Sequence, residues 1–385
     1  MSLASALRTG DVAELPSRRQ EDWRWTDLRG LIRAIPPASL PSDAAAIVAG
    51  PFDAIAGDEI VLLNGRLVGT PSLPLIPAKA GIQSFPESSD RWTALDPRFR
   101  GDERSKISAP RIVVEGERTI RLRFISAAMN TAHHVELDIE LKPGATLTLL
   151  ESYEGSGEGY VADAALDISL SEGSRLERIV LVEEAADAVA VSTSEVRLAP
   201  HSAFTQTVLT RGAKRQRHET RVHHPGGAAD LRLDGLYLLG GARHADLTTV
   251  VQHEGLDGRT SQLTKGAVRD QARGVFQGRI VVALGADRTE ARMGHHALIL
   301  SDKAEVDAKP ELEIYADDVV CAHGNTVGAL DEEALFYARS RGIPEAEARA
   351  MLTEAFLGEV ADRIGHEGAR EIARSWLAGQ LRAGG

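Results

Sequence analysis

Three ten-residue stretches, LKPGATLTLL from position 141, LSEGSRLERI from 170 and LAPHSAFTQT from 198, align as a turn followed by a strand pattern, with HHPGGAADLRL from 223 as a looser fourth copy. Their starts are 29, 28 and 25 residues apart. A unit of that size cannot bury its apolar side alone and must stack on its neighbours, so the repeat predicts successive rungs of a β-solenoid. The surrounding region, 109–330, is built of short alternating runs punctuated by Gly and Pro. A β-sandwich gives the same local signals, and alternation alone leaves both architectures open. The strand–helix–strand spacing of a Rossmann sheet is missing.

The flanks follow other patterns, which divides the chain into 1–108, 109–330 and 331–385. LPSRRQEDWRWTDLRGLI (15–32) reads as a mixed, helical segment, and EIVLLNGRLVG (59–69) as an apolar strand broken by Asn64-Gly65, a strong hairpin signal. Residues 71–104 are rich in Pro, Ser and charge without a sustained period, and some pieces look like translated palindromic repeats inserted into the gene. Poor order is expected there. Beyond 330 the period turns helical. Asp331 is expected to cap EEALFYARSR, Gly342 to stop it, and Pro344 to open the next helix at its first position. In that helix Leu352, Phe356, Val360 and Ile364, flanked by Met351 and Ala355, make one apolar face, suited equally to the chain's own β core or to another subunit.

Composition removes several function classes. A net charge of -12 disfavours phosphate backbones and anionic lipid, and 4% aromatic residues leave few stacking platforms for single strands. No stretch approaches the roughly 20 apolar residues of a membrane span, and the first 20 residues lack a signal-peptide pattern. The single cysteine excludes an internal disulfide framework and any four-thiolate metal site built from this chain alone. A cytosolic, reducing setting is expected.

Most motif-like signals fail on geometry. His218-Glu219 precedes His223, but the histidines are five apart rather than the four that one helix face requires. GSGEG (155–159) lies between strand patterns and reads as a turn, and there is no phosphate-binding G-x-x-x-x-G-K-[ST] loop. The adjacent pairs His133-His134 and His295-His296 point to opposite faces of any strand. Cys321 and His323 pass the same filter. In a strand, positions i and i+2 share a face with α-carbons roughly 6.5–7 Å apart. A thiolate and an imidazole so placed suit a soft metal or a sulfur species, and the imidazole is expected to lower the thiol's pKa. Two ligands do not close a tetrahedral site, so a partner chain would supply the rest. An inert buried thiol fits the same spacing.

KPELEIYADDVVCAHGNTVGALDEEALFYARSRGI (309–343) resembles the C-terminal signature of the SufB/SufD family of iron–sulfur cluster assembly proteins, nearer to its SufD branch. TSQLTKGAVRDQARGVFQGRIVV (260–282) and LPSRRQEDWRWTDL (15–28) resemble the family's central and N-terminal segments, and the likeness spans nearly the whole chain outside 71–104. The resemblance implies a right-handed parallel β-helix with helical ends, acting as a non-ATPase scaffold subunit. It implies pairing with SufB, and with the ABC-type ATPase SufC, whose turnover reshapes the pair while a nascent cluster forms from iron and delivered sulfur. Cys321 and His323 match the family's cysteine and histidine near the SufB interface, the histidine being the stronger ligand. The segment from Asp331, with Leu335, Phe336, Tyr337 and Arg341, matches the region that docks SufC. A reduced flavin is associated with such complexes, and an isolated subunit is expected to pair with itself. The competing reading is a metal-dependent β-helix enzyme whose His223, His253 and His295 converge in the core.

Overall fold

The computed structural model describes residues 1–41, 47–68 and 109–383. The expectation for 71–104 lies outside the described residues.

The chain forms a parallel β-solenoid with two walls. One is a ten-stranded sheet that runs from the N-terminal hairpin, through Glu117–Ser126 and every second strand thereafter, to Val319–Gly328. The other has eight strands, from Arg111–Val114 to Glu305–Ile314. From Arg111 onward consecutive strands alternate between the walls, and among the described residues the strands pair in parallel except for the hairpin of Asp58–Leu63 with Arg66–Val68, with one isolated antiparallel bridge between Ala213 and His244. The sequence repeat maps onto one register column: Thr146 faces Arg175, Arg175 faces Ala203, and Ala203 faces Asp230. The third residue of each repeat turn is left-handed at Gly144 and Gly173, with φ near 70°. His201 occupies the same place and Ala228 its equivalent in the fourth copy, whose turn is one residue longer, both at positive φ. The glycine signal fades there because a stacked neighbour holds a conformation that L-residues otherwise avoid.

Inward-facing Leu, Ile, Val and Phe of both walls fill the lumen, including Leu122, Leu149, Leu176, Phe204, Leu233 and Phe276. Polar groups are buried among them. The Arg178 guanidinium, fully buried, donates to both carboxylate oxygens of Glu151 at 2.7 and 2.8 Å and to Gln206 Oε1 at 2.8 Å. Gln206 in turn donates to Thr220.

Both outer faces are covered by the chain's own ends. Leu3, Ala6, Leu15 and Leu28 pack on Ala132, Val161, Val189 and Val191 of the eight-stranded wall. The helical expectation for 15–32 is corrected: only a 3-10 turn at Glu21–Trp23 forms, and the α-helix lies earlier, at Leu3–Thr9. The reason is tertiary. Arg217 sits under the Trp23 ring at 4.5 Å and donates to the Asp22 carbonyl, while Gln277 donates to that same carbonyl. Side chains of the wall thus take backbone groups that a helix would have used.

Helices Glu332–Ser340, Glu345–Asp362 and Glu367–Ala383 follow the solenoid. Leu357, Val360, Ala361, Ile364, Ala369 and Leu377 pack on Leu150, Ile179, Leu209, Leu236 and Leu263 of the ten-stranded wall. The apolar face therefore serves the chain's own core. It is rotated from the expected stripe, since Leu352 and Phe356 are only half-buried and Met351 is 50% exposed. Pro344 is the cap of its helix rather than its first residue.

Candidate functional site

The solenoid ends at Glu305–Ile314 and Val319–Gly328, each paired on one side only among the described residues. Such an edge presents unpaired backbone donors and acceptors. Ile314, Tyr315, Val320 and Val327 add exposed apolar surface around it.

Cys321 and His323 lie on this terminal strand, opposite Ala291 and Met293 of the preceding rung. Both partners belong to the core, so the two side chains share the inward face, as the spacing predicts. Cys321 packs half-buried on that core, and His323 is exposed. Burial pushes the Cys321 thiol up, against a hydrogen bond with the Ala291 backbone. The expected lowering is thus corrected: in the free chain desolvation prevails.

The neighbouring inward group, Asn325, accepts from His295 Nδ1 at 2.7 Å, and Tyr237 donates to His295 Nε2 at 2.9 Å. Sequence reading missed this arrangement because its three members lie on different rungs.

The histidines expected to converge in the core, His223, His253 and His295, do not meet. His223 is on the outer face between Glu195 at 2.5 Å and Glu254 at 3.0 Å. His253 lies against His224, with ring centroids 4.4 Å apart and the planes tilted by 34°, and contacts Thr260. His295 stacks face to face on Phe276. Among the described residues no three His, Cys, Asp or Glu side chains stand together as a metal-binding group. His133 contacts Ser126 while His134 contacts Asp163 and Glu136, so that pair does split between faces.

Burial opposes protonation of His223, but the hydrogen bonds and charges of its two carboxylates prevail and raise it to about 9. A folded-state pKa above the ordinary 6.5 stabilises fully below that value, and the benefit is lost as pH rises through about 9. The urea midpoint of the protein, relative to that of His223→Gln, is therefore expected to fall between pH 6.5 and 9.5. A constant difference would contradict the ion triad.

The segment after the terminal strand starts as expected. Asp331 accepts from the backbone N–H groups of Glu333 and Ala334, and Gly342 follows the helix at φ 87°. Leu335 is 2% exposed, so it holds the helix down, whereas Phe336 at 74% and Tyr337 at 60% face outward. Arg341 lies over the Tyr337 ring at 5.1 Å. Asp331→Ala is expected to cost about 1 kcal/mol, visible as faster hydrogen exchange confined to 332–340. An unchanged rate there would show the cap to be idle.

The family model described as "SUF system FeS cluster assembly, SufBD core domain" matches residues 124–356, which takes in most of the solenoid, the terminal rung and the first helices. The chain belongs to the SufBD family. Relatives agree along nearly the full length. The iron–sulfur cluster assembly protein SufD of Escherichia coli is 31% identical over 403 residues, covering 99% of this chain and 92% of the relative. A SufBD family protein of Synechocystis is 27% identical, covering 91% and 84%. The chloroplastic protein ABCI7 of Arabidopsis thaliana is 25% identical, covering 95% and 82%. This SufBD protein is a SufD-like member of the iron–sulfur cluster assembly system. No helix among the described residues is long and apolar enough to cross a membrane.

Proposed function

We propose that the chain is the non-ATPase scaffold subunit of a cytosolic SUF assembly complex, with its terminal rung as one half of an interfacial site for nascent iron–sulfur clusters. The observation that carries this reading is the placement of Cys321 and His323 side by side on the inward face of an edge strand that is paired on one side only among the described residues. Two such ligands are an incomplete set, and an edge is where a second chain completes it. The partner is a SufB-type subunit, whose place a second copy takes when the chain is alone.

The cluster is cargo, assembled from iron and delivered sulfur. His323 serves as the accessible imidazole ligand. Cys321 binds iron or carries sulfur once the interface offsets the desolvation that keeps its thiol protonated. The helices that follow dock a SufC-type ATPase through Phe336, Tyr337 and Arg341, with Asp331 and Leu335 holding the presenting helix in place. ATP hydrolysis belongs to that partner. Of the three regions 1–108, 109–330 and 331–385, the described part of the first covers one wall and adds the hairpin to the other, the second is the scaffold, and the third is the coupling element.

A flavin does not fit the glycine-rich stretch 155–159: a Cβ on Gly157 would stand 2.1 Å from the Ala128 carbonyl, so backbone packing already fills the turn.

The test is an anoxic pull-down of the tagged chain from its native cytosol, with partners identified by mass and iron and sulfide assayed. Recovery with a SufB-type protein, an ABC ATPase and stoichiometric sulfide is expected. Recovery alone, with a tightly bound metal and no sulfide, would overturn the proposal in favour of a metalloenzyme.

A further inference from the structure

We propose that Asn325 is the third working side chain of the terminal rung, presenting amide N–H groups to the sulfur-bearing anion held beside His323, in an orientation that His295 fixes. This rests on the reading of the rung as half of an assembly site.

Asn325 stands two residues beyond His323 on the same inward face, roughly 6.5–7 Å away along the strand. A carboxamide oxygen only accepts, so the 2.7 Å contact with Asn325 Oδ1 requires that His295 Nδ1 carry the hydrogen. Its Nε2 is then the acceptor, and the Tyr237 hydroxyl supplies the donor at 2.9 Å. Both nitrogens of a fully buried ring are thereby satisfied. Phe276 lies parallel to that ring, 4.7 Å away and 3° from coplanar in orientation, and prevents it from turning.

The support is built deeper still. A Cβ on Gly266 or Gly274 would stand 1.9 or 2.5 Å from the Tyr237 ring, so these positions make room for it. With Oδ1 committed inward, the side chain's remaining capacity is its two N–H donors, and the residue is exposed. The strand does not need this relay as an anchor, because its backbone already pairs with Thr289–Ile299 along its length. Sulfide and thiolate sulfurs accept N–H hydrogen bonds, and such bonds raise the reduction potential of iron–sulfur clusters by stabilising the more negative state. Asn325 is thus a ligand-tuning donor, and His295 and Tyr237 are positioning residues.

The experiment compares complexes reconstituted with the SufB-type partner from the unaltered chain, Asn325→Leu, Asn325→Asp, Tyr237→Phe and His323→Ala. Partner retention, iron and sulfide content, visible spectrum and reduction potential are measured. The His295 tautomer is read by nitrogen NMR in the isolated chain.

The expected result is that Asn325→Leu retains the partner but moves the cluster bands and lowers the potential. Asn325→Asp lowers it further and Tyr237→Phe less, and His295 carries its hydrogen on Nδ1. An unchanged spectrum and potential in Asn325→Leu, with cluster lost in His323→Ala, would overturn this inference and leave the site reading intact. Cluster unchanged in His323→Ala would overturn both. A His295 hydrogen on Nε2 would overturn the positioning argument by itself.

Discussion

His323→Ala is expected to lower the iron and sulfide retained by the assembled complex at least tenfold, with partner binding and fold unchanged. The side chain is exposed and makes no packing contribution to the core, so its removal should alter stability by about 0.5 kcal/mol or less. Its loss would remove an imidazole ligand from a set that the interface completes. Cys321→Ala is expected to have a smaller effect on cluster content, because that thiol is half-buried against the core of its own rung and less open to the interface than the exposed imidazole. Quantifying iron, sulfide and partner in the same anoxic preparation separates these outcomes. Equal cluster content in His323→Ala and the unaltered complex would remove the histidine from the site.

The largest effect on stability is expected from Glu151→Ala. Arg178 and Glu151 are both fully enclosed, so removing the carboxylate leaves the guanidinium charge buried with Gln206 Oε1 as its remaining side-chain acceptor. Leaving one member of a buried pair uncompensated typically costs about 3–5 kcal/mol. The midpoint of urea unfolding should shift accordingly at constant slope. A second variant identifies the cause: Glu151→Leu combined with Arg178→Met replaces both charges with apolar groups and is expected to recover much of the loss. If the double variant is as unstable as the single one, the cost is a packing defect rather than an unpaired charge.

The solenoid was legible because its rungs repeat locally: the turns at 142–145, 171–174 and 199–202 announce themselves in chain order, and each coincides with a turn between strands. Asn64-Gly65 was legible for the same reason and forms the expected hairpin, with both residues at positive φ. What failed was decided by distant chain. Residues 15–32 lost their helix to Arg217 and Gln277, nearly 200 residues and more away. The tail helix rotated to suit Leu150, Ile179 and Leu236 of the wall. The site was half legible. The alternation of a single strand places Cys321 and His323 on one face, but it cannot show that the next rung puts His295 under Asn325 or that Tyr237 backs it. The buried Arg178 had a faint signature: it interrupts the alternate apolar positions of LERIVLV, where Leu176, Val180 and Val182 all face the lumen.

Hydrogen exchange along Val319–Gly328, with and without the SufB-type partner, reads whether the open end of the solenoid is where the partner binds. With the isolated chain diluted below the concentration at which it pairs with itself, the amides of this strand not bonded to Thr289–Ile299 are expected to exchange freely and to become strongly protected on binding, with the effect centred on Cys321 to Asn325. Protection appearing only in the helices after Asp331, with the terminal strand unchanged, would place the partner elsewhere and contradict an assembly site at the open end of the solenoid.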